Sequence, residues 1–274
     1  MWMQGKTVVI TGASSGMGKG IAQRLIVDYG CNVIGIARSE QKMKKFVEEL
    51  GFYAGKFSYR LFDVSVRENW ENFAAELKEN GTKIDVLINN AGILPKFKRF
   101  DRYTIEDIEN VMNINFYSAV YGSKILFDQL MESDTPAIIN VDSSAALMAL
   151  AGTSAYSASK SALKSLTEAM REEYRGKMYI ACVCPGFTKT DIFRNQGETS
   201  GKGEKAMNMI STDCDKMVDM IVRGIAHHKA LQVHGKDAFF MDVFSRLLPV
   251  NGPRLFSNVM RMAKLDLFDD VFKD

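Results

Sequence analysis

Short apolar runs rich in Val and Ile alternate along this chain with longer segments in which apolar residues return every three or four positions. Unbroken apolar runs mark strands buried on both faces, and the 3.6-residue return marks helices with one buried stripe. The pattern predicts strands at Thr7–Ile10, Asn32–Ala37, Tyr59–Phe62, Val86–Asn89, Ala137–Val141, Ile180–Val183 and Leu231–Val233. Between them it predicts helices at Gly16–Tyr29, Glu40–Leu50, Arg67–Asn80, Ile105–Met131, Tyr156–Arg175 and Asp213–His228. Ser39 stands where the second helix needs an N-cap, and Thr104 with Asp107 three residues on spells a capping box. Gly30 and Gly81 sit where helices should stop. Such alternation implies right-handed βαβ units. The expected fold is α/β: a single-domain, Rossmann-like, doubly wound parallel sheet of about seven strands, helices on both faces, with a C-terminal helical extension.

No internal repeat or low-complexity linker divides the chain, so residues 1–274 are expected to form one domain. Gly197, Gly201 and Gly203 make about 191–211 the most flexible-looking stretch, an excursion rather than a boundary. In the extension, about 237–274, Phe240, Phe244, Leu247 and Leu248 recur at helical spacing, followed by Pro249 and a second helix around Arg254–Ala263. Covering a pocket, building a subunit contact and resting on a membrane surface all stay open for it.

Composition narrows the class. With 274 residues, 46% of them hydrophobic, the chain can bury one sizeable core. The formal net charge is +2 and no block of like charge stands out, so neither nucleic acid nor an anionic membrane is an expected partner. No stretch approaches the roughly 18–20 apolar residues of a membrane span, and Met1–Lys6 has no leader pattern, so a cytoplasmic protein is expected. Cys31, Cys182, Cys184 and Cys214 are too few for a disulfide framework, and no ligand cluster at metal spacing is visible. Buried reduced thiols and no metal are the expectation.

The chemistry begins at Gly12, Ser14, Ser15, Gly16, Met17 and Gly18, between the first strand and the first helix. Glycines there permit a tight turn and close approach of a pyrophosphate, and the helix N-terminus offers free N–H groups and partial positive charge. Tyr156 and Lys160 stand four apart on a helix and share a face. A phenol with a pKa near ~10 is a poor acid or base at neutral pH, and a fixed ammonium favours the phenolate. Tyr156 can then exchange a proton with a substrate oxygen that Ser143, thirteen residues earlier, hydrogen-bonds.

The Gly-x-x-x-Gly-x-Gly loop, Asn89-Asn90-Ala91-Gly92, Asn115, Ser143, Tyr156-Ser157-Ala158-Ser159-Lys160 and Pro185-Gly186 with Thr190 follow one another in order. In this the chain resembles the short-chain dehydrogenase/reductase family, up to Thr190. The resemblance implies hydride transfer between a nicotinamide cofactor and an alcohol/carbonyl pair, with Tyr156 as acid/base. Lys160 would lower the Tyr156 pKa and bind the nicotinamide ribose; Ser143 would orient the substrate oxygen, and Asn115 would hold a water of the proton relay. Asp63 and Val64 would meet the adenine, Asn90, Ala91 and Gly92 the adenosine ribose side, and Pro185, Gly186, Thr188 and Thr190 the nicotinamide end. Such enzymes commonly pair helices across subunits, which implies a homodimer or homotetramer.

NAD-preferring members usually carry an acidic residue at the end of the second strand; here Ala37 stands there and Arg38 follows, suited to a 2′-phosphate. NADP(H) is therefore expected over NAD(H). Two departures from the family pattern are Asp142 beside Ser143, where a small or hydroxyl residue is commoner, and Ala145-Ala146 in place of a frequent glycine. Ile93, Leu94, Phe97, Leu147, Met148, Leu150, Ile192, Phe193, Met207 and Met209 fall in loops that supply substrate groups. They suggest a bulky apolar alcohol or ketone, such as a steroid or lipid-like molecule, though capping the core or packing a dimer would use the same residues. A catalytically silent NADP(H)-binding sensor or scaffold is the alternative; its usual mark, loss of Ser, Tyr or Lys, is absent. A sugar-nucleotide epimerase or dehydratase would want a longer substrate domain.

Overall fold

The computed structural model describes residues 2–190, 211–263 and 268–272. Seven strands, β1 (Thr7–Thr11), β2 (Asn32–Ala37), β3 (Phe57–Leu61), β4 (Val86–Asn89), β5 (Ala137–Val141), β6 (Tyr179–Pro185) and β7 (Leu231–His234), form one sheet in the order β3-β2-β1-β4-β5-β6-β7. Every pairing is parallel. The order reverses between β1 and β4, and the crevice beyond their carboxyl ends is where such sheets take ligands.

The strands are apolar throughout because both faces are covered. Val8, Ile10, Ile139, Val141, Ala181 and Val183 pack on α1 (Gly16–Tyr29), α2 (Glu40–Leu50) and the helix Cys214–Ala226, while Val9, Ile36, Leu87, Ile138 and Ile180 pack on α3 (Arg67–Glu79) and its neighbours. The second face carries a polar seam. Asn89 Nδ2 donates to Asn140 Oδ1 at 2.8 Å and to Ser123 Oγ at 3.0 Å, and Asn140 Nδ2 donates to Thr167 Oγ1 at 2.8 Å. Each of those buried groups would cost about 1–3 kcal/mol if left unpaired.

The helix boundaries obey their punctuation. Ser39 accepts from Lys42 N, both arms of the Thr104–Asp107 capping box are made, and Gly30 ends α1 in the left-handed region at φ 62°. The third strand starts two residues earlier than the pattern suggests, at Phe57, because Phe57 and Tyr59 pair with Val33 and Gly35.

The expected single helix over 105–131 is instead four pieces. They are α4 (Ile105–Met112), a π-turn at Asn113–Tyr117, α5 (Ser118–Ile125) and α6 (Phe127–Met131). The π-turn admits one extra residue and turns the buried Asn115 inward, while Leu126, at φ −88° and ψ 3°, separates the last two. Periodicity alone does not register a one-residue insertion. Beyond it come α7 (Ser154–Glu173), α8 (Cys214–Ala226), α9 (Lys236–Leu247), α10 (Asn251–Ala263) and α11 (Asp269–Phe272). Among the described residues no helix is long and apolar enough to cross a membrane.

Candidate active site

The turn out of β1 is built on glycines for two different reasons. Gly12 and Gly16 lie at φ +69° and +53°, in the region L side chains avoid, whereas Gly18 has no room: a Cβ there would stand 2.3 Å from Gly12 O. Thr11 Oγ1 accepts from Asn90 N and Ala91 N at 2.9 Å each, and Asn90 Nδ2 returns a bond to Thr11 O at 2.9 Å. The Asn-Asn-Ala-Gly segment thus braces the loop to β4. Ser15 caps α1 in backbone only, with no side-chain cap bond, which leaves the first-turn N–H groups without a partner from the cap side chain. Gly12, Ser15, Gly16, Gly18, Asn90 and Ala91 line a groove together with Ser14, Met17, Ala37, Arg38, Asp63, Val64, Gly92 and Thr190. A crowded glycine turn leading into a helix start with no side-chain cap, on the wall of the groove, fits a pyrophosphate. At its far end the Arg38 side chain is 69% exposed, with Nη1 3.7 Å from Asp63 Oδ2. Burial works against ionisation of Asp63, but two hydrogen bonds from Ser65 and the Arg38 charge hold its carboxyl below the usual range.

A second pocket adjoins the groove, sharing Met17, Asn90, Gly92, Leu94 and Thr190. Ser143, Tyr156 and Lys160 meet there, with Pro185, Gly186 and Thr188 opposite. Ser143 Oγ accepts from Ala145 N at 3.1 Å and hydrogen-bonds the Tyr156 hydroxyl, one turn before Lys160 on α7. Lys160 is 4% exposed, and its Nζ donates to Val141 O at 3.1 Å. Asn115 lies beneath the pocket rather than on its wall. Its side chain donates to Ile93 O at 3.0 Å and Ser159 Oγ at 3.1 Å and accepts from Ile93 N at 2.8 Å. The π-turn is what lets it reach.

Burial is the main influence on the protonation of both Tyr156 and Lys160. Burial pushes the Tyr156 phenol up to about 12; the Ser143 bond opposes this and the Asp142 charge adds to it. Burial also pushes the Lys160 ammonium down, against the pull of Asp142. Desolvation of both groups is an effect that spacing along a helix does not reveal.

Of the loop residues expected on the substrate side, Leu94, Phe97 and Leu150 line the pocket, Ile93 lines the groove, and Met148 packs behind with Phe187 and Met241. Leu147 is half-buried and lines neither. Ile192, Phe193, Met207 and Met209 lie outside the described residues.

The C-terminal extension packs on the pocket: Met260 and Phe268 join Leu94, Phe97, Ala145 and Tyr156 in one buried cluster, with Phe256, Val271 and Phe272 at its edge. The one-turn spacing of Phe268 and Phe272 was the available signal for this cover. Phe187, Thr153 and Asp237 were also missed. Asp237 Oδ2 accepts from Phe187 N at 2.6 Å and so fixes the Pro185-Gly186 turn. Asp142, Cys182 and Cys184, forty residues apart in sequence, bring ligand atoms within 4.8 Å of one another, a cluster the spacing of cysteines and histidines did not disclose.

A family model described as short chain dehydrogenase matches residues 6–201. The chain belongs to the short-chain dehydrogenase family. SadH of Mycobacterium tuberculosis, named an oxidoreductase, is 30% identical over 263 residues, which cover 92% of this chain and 94% of SadH. The 3beta-hydroxysteroid dehydrogenase 2 of Eggerthella lenta is 31% identical over 204 residues, covering 73% of this chain and 78% of its own. Among solved structures, a variant of actinorhodin polyketide ketoreductase with NADPH superposes with a TM-score of 0.72 at 25% identity, over 84% of this chain and 95% of the ketoreductase. This short-chain dehydrogenase is accordingly an oxidoreductase acting on CH–OH groups.

Proposed function

We propose that this short-chain dehydrogenase interconverts a secondary alcohol and a ketone on a bulky apolar molecule, steroid or lipid-like, with NADP(H). The observation that carries the reading is the convergence of Ser143, Tyr156 and Lys160 in an apolar pocket that opens onto the glycine-lined groove. When bound, the nicotinamide cofactor supplies or accepts a hydride. The residues do the rest. Ser143 holds the substrate oxygen by hydrogen bond beside the Tyr156 hydroxyl, and Tyr156 gives that oxygen a proton in reduction or takes one in oxidation. Lys160 keeps positive charge close to the phenol and would hold the ribose of the bound cofactor, and Asn115 fixes the backbone around Ile93 and would support the proton relay. Leu94, Phe97, Leu150 and Phe187, under Met260 and Phe268, exclude water and favour apolar substrate.

NADP(H) is favoured because Ala37 leaves no acidic group at the end of β2 and the exposed Arg38 lies on the groove wall. The names of two similar proteins, a 3beta-hydroxysteroid dehydrogenase and a ketoreductase solved with NADPH, support the substrate and cofactor classes. Four free cysteines, three of them buried, support a reducing, cytoplasmic setting. A homo-oligomer built on α4, α5 and α7 belongs to the same reading.

Oxidation of NADPH with a panel of steroid and aryl ketones tests it. Turnover that falls at least 100-fold in Tyr156→Phe, with NADPH affinity kept, is the expected result. Tight NADPH binding without turnover across the panel would instead favour a silent sensor.

A further inference from the structure

The residue immediately before Ser143 is a buried acid. Asp142 is 4% exposed, and its backbone N donates to Val183 O at 2.7 Å, prolonging the β5–β6 ladder by one step. Residues alternate across the sheet, so Asp142, Cys182 and Cys184 all project toward the face that α7 covers. Cys182 Sγ donates to Asp142 Oδ2 at 3.6 Å and stands 3.6 Å from Cys184 Sγ. Among the described residues, Asp142 Oδ1 has no hydrogen-bond partner. The peptide carbonyl that joins Asp142 to Val141 is the one that accepts from Lys160 Nζ. A carboxyl this poorly solvated is a costly thing to keep in a fold, and every charge it meets belongs to the reaction centre or borders it.

We propose that Asp142 is a positioning residue that, acting through Lys160 and Tyr156, holds the proton on that couple and biases the site toward giving a proton to a carbonyl oxygen. The groups facing it are Tyr156, Lys160 and Lys164 from α7 and Cys182 and Cys184 from β6. Lys164 is already bonded to Glu168 at 2.7 Å, and the Cys182 thiol donates to the carboxyl, its own ionisation opposed by the Cys184 hydrogen bond and by burial. Lys160 is thus the cation left to answer the carboxylate. An anion there raises the proton affinity of the ammonium and of the phenol alike, so both effects act in one direction. Burial holds the Asp142 carboxyl itself up near about 7, partly offset by Lys160. The bias therefore strengthens as pH rises through neutrality, where a Tyr-Lys couple without the acid would begin to lose its proton.

The proposal rests on Tyr156 being the acid/base, and one set of variants separates the two. In Asp142→Asn, the alkaline limb of kcat/KM for ketone reduction should move down by about one pH unit, and the acid limb for alcohol oxidation should move down with it. The KM for cofactor should stay within about twofold. Independently of turnover, the ¹⁵Nζ resonance of Lys160, assigned by its loss in Lys160→Met, should titrate at lower pH in Asp142→Asn. Cys182→Ala, which strips the carboxyl of its thiol donor and leaves the carboxyl in place, should shift both readouts the same way by less. Superimposable pH profiles with an unmoved Lys160 titration would overturn the proposal while leaving Tyr156 as acid/base intact. Failure of Tyr156→Phe to reduce turnover would overturn the catalytic reading, with the Lys160 titration still reporting whether Asp142 acts on it.

Discussion

Lys160 Nζ reaches past Tyr156 to the carbonyl oxygen of Val141, 3.1 Å away at the end of β5. The ammonium is buried by the strand end on one side and by α7 on the other, so both its position and its bulk are fixed. A guanidinium, planar and wider, does not fit a site measured for a point donor. Lys160→Arg should therefore lose at least 100-fold in kcat, as should Lys160→Met. Steady-state kinetics with saturating NADPH check this; an arginine variant within tenfold of wild type would show that only the charge matters.

Gly18 is a second place where size alone decides. A methyl there would stand 2.3 Å from Gly12 O and 2.4 Å from Asn90 Nδ2, and neither is the free end of a flexible chain: one is backbone, the other is bonded to Thr11 O. Gly18→Ala must push the loop away from β4. Cofactor affinity, read from quenching of protein fluorescence, should fall at least tenfold, and the melting temperature should fall with it. Gly55→Ala, with nothing within 4 Å of its Cβ position, serves as the control and should change neither.

Much of this was open to reading from the residues. The seven strands, the glycine turn and the Ser143, Tyr156 and Lys160 set all depend on local pattern and fixed spacing, which sequence displays directly. The π-turn at Asn113–Tyr117 was not readable, because one added residue does not disturb an apolar stripe enough to show. Nor was the desolvation of Tyr156 and Lys160, which depends on what the sheet and the C-terminal helices place around them. The cluster of Asp142, Cys182 and Cys184 arises from the register of β5 against β6, where Asn140 pairs with Cys182, and register is a property of two distant segments together. Asp142 was visible as a departure from the family pattern, but not as a partner for anything.

The Arg38 side chain gives the cofactor preference its test. A charge-assisted pair with a phosphate contributes about 1.5–3 kcal/mol, or roughly 10- to 100-fold in affinity. Arg38→Leu should weaken NADPH by that factor and leave NADH within about threefold, measured as Kd for both cofactors at fixed ionic strength. Equal losses for the two would place Arg38 away from the 2′-phosphate and remove the case for NADP(H).

Asp142 also links stability to pH. Its carboxyl rises from 3.8 to about 7 on folding, with burial the main cause, so the fold favours the protonated form. That contribution is fully present below about pH 4 and is lost as pH climbs through about 7. The unfolding free energy of Asp142→Asn minus that of wild type should therefore grow across this window, by on the order of a few kcal/mol. Urea titrations at pH 4.5, 6 and 8 read the difference; a constant offset would mean that Asp142 does not change its protonation.

The cover over Tyr156 is held at Gly152, which lies at φ +84° with Val271 Cγ2 only 2.4 Å from where a Cβ would be. Lys96 pairs with Asp270 at 2.6 Å beside it, and Phe268 packs against Phe97 with ring centres 5.2 Å apart and the planes tilted by 54°. Phe268 backs the apolar wall through Phe97 and carries no polar group of its own, so removing it should tax binding more than chemistry. Phe268→Ala should raise KM for a bulky apolar ketone about tenfold, from the area it buries, with kcat for a small ketone held within about twofold. Gly152→Ala should act in the same sense by displacing Val271, and more strongly, because both the backbone and the contact oppose it. If both variants leave the KM of large and small ketones in the same ratio as wild type, the extension does not shape the substrate pocket, and its packing against Phe97 serves the fold alone.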